Sequence, residues 1–494
     1  MCHSETQGGW MKFFGSSILS SVGIILFLLC GLPQQAVGHA RFFIEANPAV
    51  FWTTVEPMAS FDASLLGPEE YARYYARPSV LNLGLELTQG NVELVFRLDI
   101  RPDFLSFLTE QHNTNLPFLQ HGLVSAIGDV NMPSVGYIDF SGESLRFSVG
   151  RRALKWGPAS YALAISDNAP YLDHLWIDYR FKTKKGAWWY SFIAISPDRA
   201  GQTWGNLSES SLGYKTIFAH KGGYESDFLR VSIGELNLVH DIAPSLLDMA
   251  PIASFHNLYQ DIYSNVLLAA AGEFKAGAFR GFGEFVMDDL VMSWESWQAR
   301  PTALGWSYGL EYRILPGFAY KAGPFNEDAY ARKEATFRQP GGLVLSYEHY
   351  RTTTYLYNRE NVSGKWTIPD HRLVNASFGY IDTGEAFFLG FLYGPDVSLD
   401  MLGLSWESEK AKASFSLSYL QKGSYDIQSS YPPTDGASTW YRLQEPVSRN
   451  FIGKIYGAWA FTPSLQVWAQ GEFWIGDRSK SVISAGCSYR FSTR

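Results

Sequence analysis

Period-two alternation, sustained over stretches of about ten residues, most limits what this chain can fold into. In "SVLNLGLEL" the residues Leu81, Leu83, Leu85 and Leu87 fall on one face. After Thr88-Gln89-Gly90, the run "NVELVFRLDIR" puts Val92, Leu94, Phe96, Leu98 and Ile100 on one face and Glu93, Arg97, Asp99 and Arg101 on the other. Two such runs across a Gly-containing turn predict a β-hairpin with long strands. The same pattern returns at Leu145–Gly150, Leu175–Lys182, Trp188–Ser196, Phe228–Glu235, Val266–Phe274, Phe279–Met287, Leu304–Arg313 and Leu343–Tyr350. It continues at His371–Ile381, Ala386–Leu392, Ser398–Trp406, Ala413–Leu420, Phe451–Phe461, Leu465–Trp474 and Val482–Phe491.

Many short strands also build soluble propellers and sandwiches. Three features favour a transmembrane barrel. The strands have the 9–11 residues that a tilted span needs. Aromatics sit near strand ends, as in "AWWYSF" (187–192), "SWESW" (293–297) and "GAWAF" (457–461), where membrane interfaces place them. No repeat of 20–50 residues appears, as a propeller would need. With 494 residues, 16% aromatic and 18% charged, the chain is long enough for one large barrel. The expected fold is all-β, a transmembrane antiparallel β-barrel over residues 41–494.

A net charge of -8 and the lack of a strong basic run argue against nucleic acid as a partner. Residues 1–40 read as a signal peptide, with Met11 a candidate start. Lys12 precedes the apolar run "ILSSVGIILFLLCGL", and small residues follow at Ala36-Val37-Gly38 and Gly38-His39-Ala40. A lipoprotein signal at Cys30 is disfavoured by Leu29 before it. Cys487 is then the single cysteine of the mature chain, which leaves no disulfide within a monomer. The reading is a monomer in the outer membrane of a bacterial cell, bounded by outer-membrane lipid. Its last strand, "ISAGCSYRF", alternates to Phe491 and resembles the signal read by the barrel insertion machinery.

Long irregular segments interrupt the pattern at 102–133, 240–263, 358–370 and 421–449. In a barrel such segments lie outside the membrane or fold into the lumen. The run "GRRALKWGPASYALAISDNAPYLDHLWIDYRF" (150–181) joins two strands through about twenty residues. Gly157-Pro158 forces a turn after Trp156, and Asp167-Asn168 before Ala169-Pro170 suits a capped one. A lumen-filling loop, pinned by arginine–carboxylate pairs from Arg151 and Arg152 and by one packed Trp, satisfies this composition. So does a ligand site.

This run resembles the Wzi-type capsule-assembly outer-membrane protein family. Three further blocks are similar to the same family in the same order: "RVSIGELNLVHD" (230–241), "FRGFGEFVMDDL" (279–290) and "GFLYGPDVSLDMLGLSWE" (390–407). The blocks cover roughly residues 145–410. The resemblance implies a barrel of about 18 strands, with loop or helical segments partly closing the lumen near 102–133 and 240–263. It also implies a cell-surface role holding capsular polysaccharide or a related glycolipid.

Aromatic faces stack on sugars while Asp, Asn, Glu and Arg bond hydroxyls. The candidate ligand residues are therefore Arg151, Arg152, Trp156, Asp167, Asn168, Glu284, Asp288, Asp289, Trp294 and Trp297, with Trp366 and Trp440 as further loop aromatics. Interfacial anchoring explains any one Trp equally well. Glu284 and Asp288 share a strand face and Asp289 does not. This acid group fits catalysis, metal binding, or a strand-end network with Arg151, Arg152 or Arg280. No nucleophile elbow, His-Glu-x-x-His or phosphate loop appears, and no motif needs a cofactor or metal. Ser346, His349 and His371 are the residues from which a lipase site would have to be built. The leading expectation is a non-enzymatic, glycan-binding barrel. The alternative is a porin or a hydrophobic-solute channel.

Overall fold

The computed structural model describes residues 38–58, 67–102, 104–109, 113–116, 134–169, 171–197, 215–249, 263–290, 301–317, 331–337, 341–359, 363–373, 380–429 and 441–493. In chain order the strands are β1 (His39–Ala46), β2 (Ala49–Thr53), β3 (Leu81–Gln89), β4 (Val92–Ile100), β5 (Val135–Ser141) and β6 (Leu145–Arg152). Next come β7 (Leu154–Lys155), β8 (Leu172–Thr183), β9 (Gly186–Ser196), β10 (Lys215–Glu225), β11 (Leu229–His240), β12 (Ser264–Ala276), β13 (Phe279–Asp289) and β14 (Ala303–Leu315). The chain ends with β15 (Arg332–Lys333), β16 (Gly342–Thr352), β17 (Thr367–Leu373), β18 (Tyr380–Phe388), β19 (Val397–Glu407), β20 (Ala411–Lys422), β21 (Ser448–Thr462), β22 (Leu465–Gly476) and β23 (Lys480–Ser492). Two helices, α1 (Pro68–Ala76) and α2 (Phe104–Thr109), lie in the early connections.

All strands except β7, β15, β17 and β18 form one antiparallel sheet in which, from β3 to β23, each strand pairs with its neighbours in sequence. The sheet closes on itself. β23 pairs with β1 (Ala46 opposite Tyr489) and with β2 (Ala49 opposite Gly486), and β1 pairs with β3 (Ala46 opposite Leu81). β1 and β2 are halves of one stave broken at Asn47-Pro48, so the sheet is a closed antiparallel barrel of 18 staves. Past the break, β2 leaves β3, and its free edge bridges Thr114 through Val50. Closure joins the last stave to the first, and a closed sheet is what can stand in hydrocarbon.

Alternation sorts the side chains. Ile44, Trp52, Ile138, Phe181, Trp188, Ile233, Leu310, Leu404, Phe415, Ile455 and Phe491 stand exposed on the outer wall. Water would not tolerate an apolar girdle of that extent, but lipid does. Among the described residues no helix is long and apolar enough to cross a membrane.

The two ends differ. Tight turns at 90–91, 142–144, 184–185, 226–228, 277–278, 408–410 and 463–464 share one end with the first and last strand termini. The other end carries the long connections, including α1, α2 and the stretch from β16 to β19. The lumen is packed rather than hollow. One continuous core joins Tyr71, Tyr74 and Tyr75 of α1, Phe104 and Leu108 of α2, Leu154, Trp156, Leu163 and Ile165 of the β6–β8 connection, and wall residues such as Trp176, Ile217 and Leu236.

The structure corrects one part of the strand reading. The alternating segments at 371–381 and 386–392 are not staves. β17 and β18 pair with each other in a separate hairpin, and Ile368, Ala386, Phe387 and Phe388 are buried in the lumen core. A hairpin with one face on a core carries the same period as a stave with one face on lipid. Staves β1–β2, β5 and β10 were not visible in the alternation. In β10, Lys221-Gly222-Gly223 reads as a turn, yet Gly223 is mid-strand, with the Trp189 indole lying where its side chain would be.

Candidate functional site

The β6–β8 connection turns into the lumen as a small hairpin, closed by the Trp156 N–H donating to the Ile165 carbonyl at 2.9 Å. A loop buried this way must find partners for its own N–H groups. Two glutamates on the wall supply them. Glu284 of β13 accepts from the N–H of Ala159 at 2.9 Å with one oxygen and of Leu163 at 2.8 Å with the other. Glu348 of β16 accepts from the Ser160 N–H at 2.9 Å and its hydroxyl at 2.5 Å. The Tyr350 hydroxyl accepts from the Tyr161 N–H at 3.1 Å and donates to Glu348. A hydrogen bond of this kind contributes about 0.5–1.5 kcal/mol, and about 1.5–3 kcal/mol where the carboxyl is ionised. Gly157 has φ +151°, and a Cβ there would run into the Glu284 carboxyl.

The segment 389–391 holds the far side of the plug. Ser166 N–H donates to the Leu389 carbonyl at 2.7 Å, and Asn168 Nδ2 to the Gly390 carbonyl at 2.5 Å. Tyr357 hydroxyl donates to the Leu163 carbonyl at 2.6 Å.

From the tight-turn end a second segment enters, part of the connection between β14 and β16. Its β15 runs parallel to β7 of the plug, with the Arg332 N–H on the Ala153 carbonyl and the Glu334 N–H on the Lys155 carbonyl, both 3.0 Å. Arg332 reaches Asp178 at 2.8 Å and lies over the Trp176 ring. Glu334 takes Lys221 at 2.6 Å and Arg230 at 3.0 Å. Burial alone would raise the Glu334 pKa, but these two cations outweigh it and hold the carboxyl below the usual range. The pKa of Lys155, in the plug rather than in a wall strand, is pushed down by burial. Arg280 pairs with Glu273 and Glu311 and donates to the Pro158 carbonyl at 3.0 Å. The plug is thus stitched to the wall from both mouths.

The residues singled out in the sequence fall into separate places. Arg151 makes a two-pronged pair with Asp173 at 2.5 and 2.7 Å. Arg152 pairs with Asp139 at 3.0 Å and stacks on Tyr137. Trp156 is fully buried, with the Lys221 ammonium 4.2 Å from its ring. Asp167 pairs with Lys333 at 3.3 Å. Asp288 accepts the Trp366 indole N–H at 3.0 Å and the Tyr357 N–H at 3.2 Å, while Asp289 pairs with Arg359 at 2.5 Å. The strand-end network therefore runs through Arg359 rather than through Arg151, Arg152 or Arg280. Trp366 is buried beside Asp288 and offers no open face. Trp294, Trp297 and Trp440 lie outside the described residues. Ser346 and His349 occupy opposite faces of β16 by parity, and His349 bonds Asp400 on the outer wall at 2.9 Å.

Two open spaces stand out among the described residues. A groove of about 540 Å³ between Leu404, Trp406, Phe415, Ile455, Phe473 and Ile483 lies on the outer wall and faces lipid. A polar cleft of about 290 Å³ opens at the tight-turn mouth, between strands β5 to β11 and the β15 segment, and includes Arg146, Asp178, Arg180, Glu225 and Arg230. Sequence reasoning missed it. Its signal was inward-facing charge at Arg146, Asp178 and Arg180 within otherwise apolar strands.

No family model matches the chain, and no curated protein matches it in sequence. Among solved structures, the chain is similar to Wzi, an outer-membrane protein involved in group 1 capsule assembly in Escherichia coli and a carbohydrate-binding β-barrel. Identity is 13% over 96% of this chain and 88% of that one, with a TM-score of 0.46. It is similar to Pseudomonas aeruginosa OccD3 (OpdP) at 10% identity, over 93% of each chain, with a TM-score of 0.42. It is similar to OmpT, an outer-membrane protein of Vibrio cholerae, at 8% identity over 93% of this chain and 99% of that one, with a TM-score of 0.34.

Proposed function

We propose that this chain is a closed, non-enzymatic outer-membrane barrel that binds or organises surface polysaccharide. The observation that carries the reading is the clasp of Glu284 and Glu348 on the plug, within a lumen filled by one continuous core. A barrel packed in this way serves poorly as a solute path and well as a rigid platform for loops. In outer-membrane barrels the short turns face the periplasm and the long connections face outward. That rule puts the long connections of this chain at the cell surface. Trp294 and Trp297 in one of them are the sugar-stacking residues of this reading. Arg151, Arg152, Trp156, Asp167, Asn168, Glu284, Asp288 and Asp289 then serve binding indirectly, by holding plug and rim in place.

The test is retention of envelope polysaccharide from the source cell by proteoliposomes carrying the chain. Retention is expected, with a loss of about tenfold, equivalent to ~1.4 kcal/mol, on W294A/W297A. Liposomes that retain none would overturn the reading. Steady ion conductance would favour the channel alternative.

A further inference from the structure

The cleft at the tight-turn mouth has no part in that reading, and its chemistry is specific. Among the described residues Arg146 is exposed in the cleft with no carboxylate or hydrogen-bond partner. Every other cation there is matched. Arg152 has Asp139, Arg332 has Asp178 and Asp139, and Arg180 and Arg230 share Glu225, with Glu334 also on Arg230. The surplus is thus one guanidinium, beside a second, Arg180, whose side chain is 42% exposed. A guanidinium fork fits a carboxylate through two parallel bonds. The carboxylates Asp178 and Glu225 in the same wall disfavour a multiply charged phosphate. At the rim the hydroxyls of Ser141 and Ser144 line the cleft, with Glu143 beside them. These are partners for ligand hydroxyls. A volume of about 290 Å³ stands at the low end of small-molecule sites, ~300–1,000 Å³.

We infer that this cleft binds an acidic sugar residue. The carboxylate lies on Arg146 and Arg180, the hydroxyls lie on Ser141, Ser144 and Glu143, and the sugar enters from the tight-turn side. The site is at the opposite mouth from the loops invoked above, so it goes beyond the surface-holding reading and fails separately from it. The plug floor beneath it, at β7 and β15, makes it a pocket and not the start of a passage.

The experiment is calorimetric titration of the refolded full chain in detergent with three probes: trigalacturonate, its carboxyl-reduced neutral trisaccharide, and inorganic phosphate. Binding of trigalacturonate alone is expected, with at least tenfold loss in Arg146→Ala. That variant removes no internal bond, and its heat-modifiable gel mobility should match the parent. Arg180→Ala, which also frees Glu225, is the second variant and should lose binding too. Equal binding of the neutral trisaccharide, displacement by phosphate at equal concentration, or unchanged affinity in Arg146→Ala would each overturn the assignment. Polysaccharide retention by liposomes carrying Arg146→Ala separates the two readings. Retention kept while trigalacturonate binding is lost shows two independent sites, and retention lost together with it would overturn the assignment of a separate site.

Discussion

Glu284 occupies the space that a side chain on Gly157 would need. The two residues are far apart in sequence and lie on different elements, one on the wall and one at the turn that starts the plug. Their fit explains why the turn is Gly-Pro: the φ of +151° needs glycine, and so does the room for the carboxyl. Gly157→Ala should therefore lower stability by about 1–3 kcal/mol, the usual range for a strained backbone position. A shift in the temperature at which the folded gel band converts to the unfolded one checks this. An unchanged conversion temperature would mean that the turn relaxes freely.

Removing the clasp leaves the buried N–H groups of Ala159 and Leu163 without acceptors. Glu284→Ala should cost about 1–3 kcal/mol for each orphaned donor. Glu284→Gln should cost less, because its amide oxygen still accepts one of the two bonds. Amide hydrogen exchange at Ala159 and Leu163 reads the effect directly: faster in Ala than in Gln, and slowest in the parent. Equal exchange in all three would refute the clasp.

The strap around β15 should respond to acid. The folded pKa of Glu334 is depressed by Lys221 and Arg230 against the opposing effect of burial. A carboxylate of this kind gives stability that is present above its unfolded pKa, about 4.3, and lost as pH falls through the lower folded value. Protection of the Glu334 amide, which bonds the Lys155 carbonyl, should hold at about pH 6 and fall at about pH 3, after correction for intrinsic exchange. Glu334→Gln should show weak protection at both. A parent protein equally protected at both values would contradict this.

The outer wall gives a sharper contrast. Ile455 stands mid-strand on the lipid face, 54% exposed, while its neighbour Lys454 turns inward and pairs with Glu472 at 3.2 Å. Ile455→Arg should cost about 2–4 kcal/mol, as cations do on a barrel's lipid face at the bilayer midplane. Urea-unfolding of the chain in lipid vesicles measures it. A cost near zero would show that position 455 faces something other than hydrocarbon.

How far these features could be read in the sequence depends on their range. The staves β3, β4 and β21 to β23 were legible because alternation is a local signal. The hairpin β17–β18 carries the same local signal and differs only in what covers it, so 371–381 was taken for a stave. Gly223 hid β10, since glycine looks like a turn until the Trp189 indole above it is known. Glu284, Asp288 and Trp156 stood out by residue type. Their partners did not, because the bonds join segments far apart in the chain, by 121 and 125 residues for Glu284 and by 69 and 78 for Asp288. The sequence suggested arginines pinning the plug, whereas glutamates accepting backbone N–H groups hold it. Arg146 and Arg180 do not stand out in the sequence, because a charge inside a barrel strand is ordinary until Arg146 is seen, among the described residues, to lack a carboxylate partner beside the paired Arg180.

The most direct test of the account is single-channel conductance of the refolded chain from Arg41 onward in planar bilayers, beside a Glu284→Ala/Glu348→Ala variant. The account predicts an electrically silent parent over many insertions and transient openings in the variant, as the plug loses its clasp. A steady open conductance in the parent would contradict it, because the lumen would then be a passage and the plug an ornament on its wall.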